Sequence, residues 1–146
     1  DKASGRTVLL DFGATRAYGQ AIVAAYRQLM RCAMHDDREG MDQAATAIGY
    51  FGSHIRADQR VAVIDLFTIA CEPLRAADAY DFGRSDLAQR IRTAGMALST
   101  EKDFWHTPPA DALFLHRKLG GLYLLAARLK AQVPVQALAR PYLEQG

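Results

Sequence analysis

Thr7-Val8-Leu9-Leu10-Asp11-Phe12-Gly13 is the stretch on which the reading of this chain turns. Thr7 to Leu10 is apolar and β-branched, follows the turn-forming pair Ser4-Gly5 and stops abruptly at Asp11 and Gly13, the pattern of a short buried strand feeding a loop. A strand cannot stand alone, because its backbone N–H and C=O groups need partners. Only the residues around Asp1 to Ala3, folded back through Ser4-Gly5, are placed to supply any. The chain therefore reads as part of a larger protein, entered just upstream of this strand. Asp11 sets a carboxylate at the strand's end, and carboxylate oxygen is what a hard cation such as Mg²⁺ prefers. Gly13 lets the backbone turn sharply away.

Outward from that corner the pattern is helical. From Arg16 to about Met34, Ile22, Val23, Tyr26, Leu29, Met30, Ala33 and Met34 recur at three- and four-residue intervals, which predicts one face of a long helix. Asp36 and Asp37 break it. Asp37 is suited to cap a second helix carrying Met41, Ala44, Ala45 and Ile48, which runs into Gly49 and Gly52. Asp58 opens a third, whose apolar stripe of Val61, Ile64, Phe67 and Ala70 is widened by Val63, Leu66 and Ile69 until it predicts a central, buried helix. Pro73 ends or bends it. Ser85-Asp86 marks the start of a fourth helix through Ile91 and Met96, and Thr107 before Pro108-Pro109 marks a fifth that runs to about Val133. Pro134 permits a last short helix with Val135, Leu138 and Leu143. The fold expected is mainly α, with about six helices and one N-terminal strand or hairpin, in a single helical domain over residues 1–146.

Bulk properties narrow the function. The 146 residues suffice for one core that buries roughly 70% of the surface of the unfolded chain. Eighteen basic and sixteen acidic residues are spread along the whole length, so no dense cationic face argues for nucleic acid. Cys32 and Cys71 lie far apart in apolar helical patterns with no CxxC spacing, which fits buried, reduced thiols. No apolar run approaches the roughly 20 residues needed to span a bilayer. The fragment reads as soluble and cytoplasmic.

Two motifs invite misreading. A second Asp-Phe-Gly stands at Asp81-Phe82-Gly83, but no apolar strand precedes it and a helix start follows at Ser85, so it reads as a loop with Phe82 packed inward. His116-Arg117-Lys118 resembles the start of a kinase catalytic loop, yet it has no Asp and lies inside the longest helical pattern. It reads as an amphipathic helix whose His116 and Arg117 hydrogen-bond locally. Gly120 and Gly121 cost about 1 kcal/mol each in a helix interior, which predicts close packing of their backbone on another helix. Trp105, just before the proline cap, reads as packing over it.

Val8-Leu9-Leu10-Asp11-Phe12-Gly13-Ala14-Thr15-Arg16 resembles the DFG segment of the AarF/UbiB (coenzyme Q kinase-like) family of atypical kinases. Phe114-Leu115-His116-Arg117-Lys118-Leu119-Gly120-Gly121-Leu122-Tyr123 resembles a motif near the C-terminus of that family, and Leu87-Ala88-Gln89-Arg90 also fits. The two main motifs stand in the family's order about a hundred residues apart. The resemblance implies the C-terminal lobe of a protein-kinase-like fold. In the complete protein it implies Mg²⁺ and ATP binding and a role in isoprenoid quinone biosynthesis or lipid homeostasis, commonly at a membrane as a peripheral protein. It makes Asp11 the metal ligand, Phe12 the residue packed beside it and Gly13 the hinge, the three forming the nucleotide-cofactor corner.

The family's nucleotide loop, lysine and catalytic-loop Asp and Asn match nothing in this chain, so the lobe alone is expected to be inactive and to rely on an N-terminal lobe of the same protein. No catalytic set is complete here. A helical pattern follows Gly13 within a few residues and no Ala-Pro-Glu appears, which disfavours a peptide substrate. A lipid-like acceptor or coupled ATP hydrolysis fits better. Arg16, near a helix start where a cation opposes the dipole, suits a phosphate, an acidic group or a plain salt bridge. Two other readings stay open: a helical interaction module without chemistry, and a small-molecule kinase of the aminoglycoside or choline type.

Overall fold

The computed structural model describes residues 3–6, 8, 15–100 and 108–144. Seven helices and two very short strands follow one another among the described residues: α1 (Gln20–Met34), α2 (Arg38–Ile48), α3 (Ala57–Ala70), α4 (Glu72–Arg75), β1 (Tyr80–Asp81), α5 (Leu87–Thr100), α6 (Ala110–Arg128), β2 (Gln132–Val133) and α7 (Val135–Leu143). The mainly helical architecture expected is the one found. Of the strand expected at Thr7 to Leu10 only Val8 is described, and it is half exposed. Thr107, expected to start the fifth helix, lies outside the described residues, and α6 begins directly after Pro109.

The caps explain where helices stop. Asp37 accepts a hydrogen bond from Gly40 N–H at 2.9 Å, the N-cap expected of it. At the other end of α2, Gly49 takes φ +95° and Tyr50 N–H reaches back to Ala45 C=O at 3.0 Å, closing a Schellman motif that delivers Tyr50 into the core. α1 and α6 end in the same motif without a glycine. Asp36 and Lys130 adopt φ +56° and +49°, Asp37 N–H bonds Cys32 C=O at 2.9 Å, and Ala131 N–H bonds Ala126 C=O at 2.9 Å.

Two boundaries differ from the reading of the sequence. The first helix starts at Gln20 rather than Arg16, because Gly19 is extended and Arg16 is held elsewhere. The fifth ends at Arg128 rather than near Val133: the left-handed turn at Lys130 redirects the chain so that Gln132 and Val133 pair antiparallel with Asp81 and Tyr80. Tyr80–Asp81 is thus a strand, though only two residues long and half-buried. Ser85 does what was expected of it, its hydroxyl accepting from Leu87 N–H at 3.0 Å.

α1 and α2 lie side by side, α3 packs on both α2 and α5, and α4 and α7 close over α1. The core runs through Leu29, Ala33, Met41, Ala44, Ile48, Tyr50, Ile64 and Phe67. The larger of these side chains, Leu29, Met41, Ile48, Ile64 and Phe67, contribute about 1.5–3 kcal/mol each on full burial. The expected central helix α3 buries Val63, Ile64 and Phe67 but leaves Val61 54% exposed. Its far side has no covering element among the described residues. Arg75 ties helices together by donating to Ala33 C=O at 3.2 Å and Thr68 C=O at 2.8 Å, two carbonyls at the C-terminal ends of α1 and α3.

Candidate functional site

Asp11, Phe12 and Gly13, the residues assigned to metal and nucleotide, lie outside the described residues, as does Trp105. What is on view is the structure that receives the chain just after that corner. Arg16 turns its guanidinium onto Asp111, in the first turn of α6, with Nε 2.7 Å from Oδ1 and a terminal nitrogen on the same oxygen. Its plane also lies over Phe114, 4.7 Å from the ring centroid. The anion sits where the helix dipole favours it, and stacking on an aromatic face adds to the pairing. Of the partners open to Arg16 from the sequence, the salt bridge is the one formed. It joins residues 95 positions apart, a distance no local pattern reports.

The second Asp-Phe-Gly is structural. Phe82 is buried, as expected, against Tyr80 and Tyr123. Asp81 Oδ1 accepts from Gly83 N–H at 2.9 Å and Arg84 N–H at 3.1 Å, while Oδ2 accepts from Gln132 Nε2 at 3.2 Å. This carboxylate is occupied in shaping a turn. Gly83 is dictated by close approach: a Cβ there would lie 2.8 Å from both Cα and Cβ of Lys130.

His116 is not bonded locally, as the sequence suggested, but joins two distant tyrosines. Its Nε2 is 3.2 Å from the Tyr26 hydroxyl, and the Tyr50 hydroxyl lies 3.0 Å from Nε2 and 3.1 Å from Nδ1. The two hydroxyls are 3.3 Å apart. The imidazole lies nearly parallel to the Tyr50 ring and edge-on to Tyr26 and Phe67. Burial lowers the His116 pKa, so the ring is neutral at pH 7, and burial likewise raises both tyrosines. A neutral imidazole fenced by two protonated phenols is a satisfied core group, without a nucleophile to activate. Beside it an apolar groove of about 240 Å³ opens between α1, α6 and α7, walled by Ile22, Tyr26, Met30, Leu115 and Leu143. It gathers too few polar groups for a reaction centre.

Cys32 and Cys71 are free and partly buried; desolvation raises both thiols, Cys71 to about 11. Both are protonated at neutral pH and inert, in keeping with their apolar sequence context. Among the described residues no group of three His, Cys, Asp or Glu side chains is placed to hold a metal ion. The described residues therefore do not by themselves make a site for Mg-ATP. No described helix is long and apolar enough to cross a membrane.

Comparison with known proteins agrees with the two motifs. No family model matches the chain. Over 128 residues, 88% of this chain and 17% of the relative, it is 34% identical to an atypical kinase coq-8, mitochondrial, of Caenorhabditis elegans. It is 31% identical to an atypical kinase COQ8B, mitochondrial, of Rattus norvegicus over 94% of this chain and 26% of that protein. With an atypical kinase COQ8, mitochondrial, of Schizosaccharomyces pombe it shares 34% identity over 89% of this chain and 21% of the relative. The chain thus spans about a fifth of the length of these relatives. With both motifs in order and the similarity running through nearly all of its residues, the chain belongs to the AarF/UbiB (coenzyme Q kinase-like) family of atypical kinases.

Proposed function

We propose that in the complete protein Asp11 binds Mg²⁺ on ATP, with Phe12 packed beside it and Gly13 as the hinge, and that the protein is an atypical kinase or ATPase serving isoprenoid quinone biosynthesis or lipid homeostasis. The observation that carries this reading is the ordered pair of motifs, Asp11-Phe12-Gly13 and His116 to Tyr123, in a chain whose similarity to proteins named atypical kinases covers about nine-tenths of it. A nucleotide site needs a phosphate cradle and a second metal ligand beyond one carboxylate. We assign these to an N-terminal lobe of the same polypeptide and expect residues 1–146 alone to be inactive. A cytoplasmic, membrane-peripheral location and lipid or quinone-pathway partners belong to the same proposal; the relatives' names place those proteins in mitochondria.

The test is Mg-dependent nucleotide binding and ATP turnover of the complete protein. Asp11→Asn should abolish both, whereas Asp81→Asn, which keeps an acceptor for Gly83 and Arg84 N–H, should change neither. Unchanged turnover in Asp11→Asn would remove the assignment. The rival reading, an interaction module without chemistry, draws on the mainly helical remainder of the chain. It predicts a partner whose affinity ignores Mg-ATP.

A further inference from the structure

α6 presents two unlike faces. Ala112, His116 and Tyr123 mark the inner one, through burial, the bonds to Tyr26 and Tyr50, and a hydrogen bond from the Tyr123 hydroxyl to Ala70 C=O at 2.9 Å. The outer one is largely apolar yet exposed: Leu113, Phe114, Leu122, Leu124, Leu125 and the capping Leu129 are 41–68% exposed, with the Arg16 guanidinium over the Phe114 ring. Arg117, Gly121 and Arg128, spaced i, i+4 and i+11, run along that face between Leu113 and Leu124 on one side and Phe114 and Leu125 on the other, and Lys118 stands beyond Phe114 and Leu125, toward Leu122 and Leu129. No carboxylate among the described residues pairs with either arginine. Between Ala112 and Leu143 the sequence has no Asp or Glu, against Arg117, Lys118, Arg128, Lys130 and Arg140. A Cβ on Gly120 or Gly121 would meet nothing within 4 Å, so the close helix packing expected at these glycines is not made by the described residues.

We infer that this face seats an α-helix of the same polypeptide from outside residues 1–146, presenting carboxylates to Arg117 and Arg128 and packing its backbone close at Gly121. Three properties select this occupant. A bilayer is disfavoured because membrane-surface helices keep cations on the face opposite the inserted one, while here Arg117, Lys118 and Arg128 all stand on the face that would insert. A second copy of the same face would set arginines against arginines. A helix with carboxylates satisfies both: the leucines lose water, the guanidiniums gain bidentate partners they need once buried, and the glycine notch admits a close ridge. The relatives carry this stretch as about a fifth of their length, so ample chain exists to supply such a helix. At 1.5 Å per residue the two arginines stand about 16 Å apart along the axis. The partner's carboxylates are expected at a similar separation.

The test is thiol labelling of the complete protein, free of vesicles and nucleotide, so its outcome does not depend on the Mg-ATP reading. Leu125→Cys should react with a maleimide at least tenfold more slowly than Glu39→Cys, an exposed control on α2, after subtraction of the background from Cys32 and Cys71. Adding Arg117→Glu and Arg128→Glu should bring Leu125→Cys up to the control rate with helical content preserved, whereas the paired Arg→Lys changes should keep it slow. Equal rates for Leu125→Cys and Glu39→Cys would overturn the inference. So would protection that survives the paired Glu changes, protection that vanishes on dilution and so reports a second copy, or protection that appears only with phosphatidylcholine–phosphatidylglycerol vesicles.

Discussion

Replacing Gly83 by alanine isolates the packing that makes the second Asp-Phe-Gly a structural turn. The added Cβ would stand 2.8 Å from Lys130 Cα, about 0.6 Å inside the shortest ordinary contact, and the obstacle is backbone rather than a flexible side-chain tip. Little can yield. Lys130 is held in a left-handed Schellman turn, and the strand beside Gly83 is fixed by the Phe82 N–H to Ala131 C=O bond at 3.0 Å and by the Tyr80–Val133 pairing. Overpacking of this kind costs about 1–3 kcal/mol. At about 2–4 °C per kcal/mol for a chain of this size, the melting temperature should fall by roughly 2–12 °C. Urea denaturation followed by far-UV circular dichroism measures the loss as a lower midpoint at unchanged slope. Gly95→Ala is the control: Gly95 lies inside α5 with nothing within 4 Å of its missing Cβ, so alanine there should stabilise by about 0.5–1 kcal/mol. A Gly83→Ala protein within about 0.5 kcal/mol of the parent would refute the close approach.

Other consequences concern the core. Because burial holds the His116 pKa below its ordinary 6.5, the unfolded chain binds the extra proton in the window just under that value, and stability must fall as pH drops through 6.5. Set against His116→Phe, the parent should lose stability from pH 7.5 to 5 with a slope no steeper than about 1.4 kcal/mol per pH unit; a gap between the two that stays constant over that range would show that His116 is not desolvated. Arg75→Met removes two charge-assisted bonds to helix-terminal carbonyls and should cost about 1.5–3 kcal/mol in the same urea assay. A loss below about 0.5 kcal/mol would mean that water replaces the guanidinium without penalty.

The sequence by itself determined the local features: the helical class and order, the Asp37 cap, the glycine stop at Gly49, the start signal at Ser85, the inward packing of Phe82 and the family. These are readable because periodicity, caps and turn residues act within a few positions along the chain. The candidate metal corner was read from sequence context and resemblance alone. Only the tertiary structure decided the rest. Asp36 and Lys130 enter the left-handed turn that glycine usually signals, so the redirection of the chain after Arg128 had no residue to announce it. Arg16 finding Asp111, and His116 finding Tyr26 and Tyr50, depend on where α1, α2 and α6 lie in space. The exposure of the leucines and arginines on one side of α6 likewise follows from how the described elements pack around it. Hydrogen-bond and charge partners are chosen by proximity in three dimensions, and a linear pattern holds no measure of that.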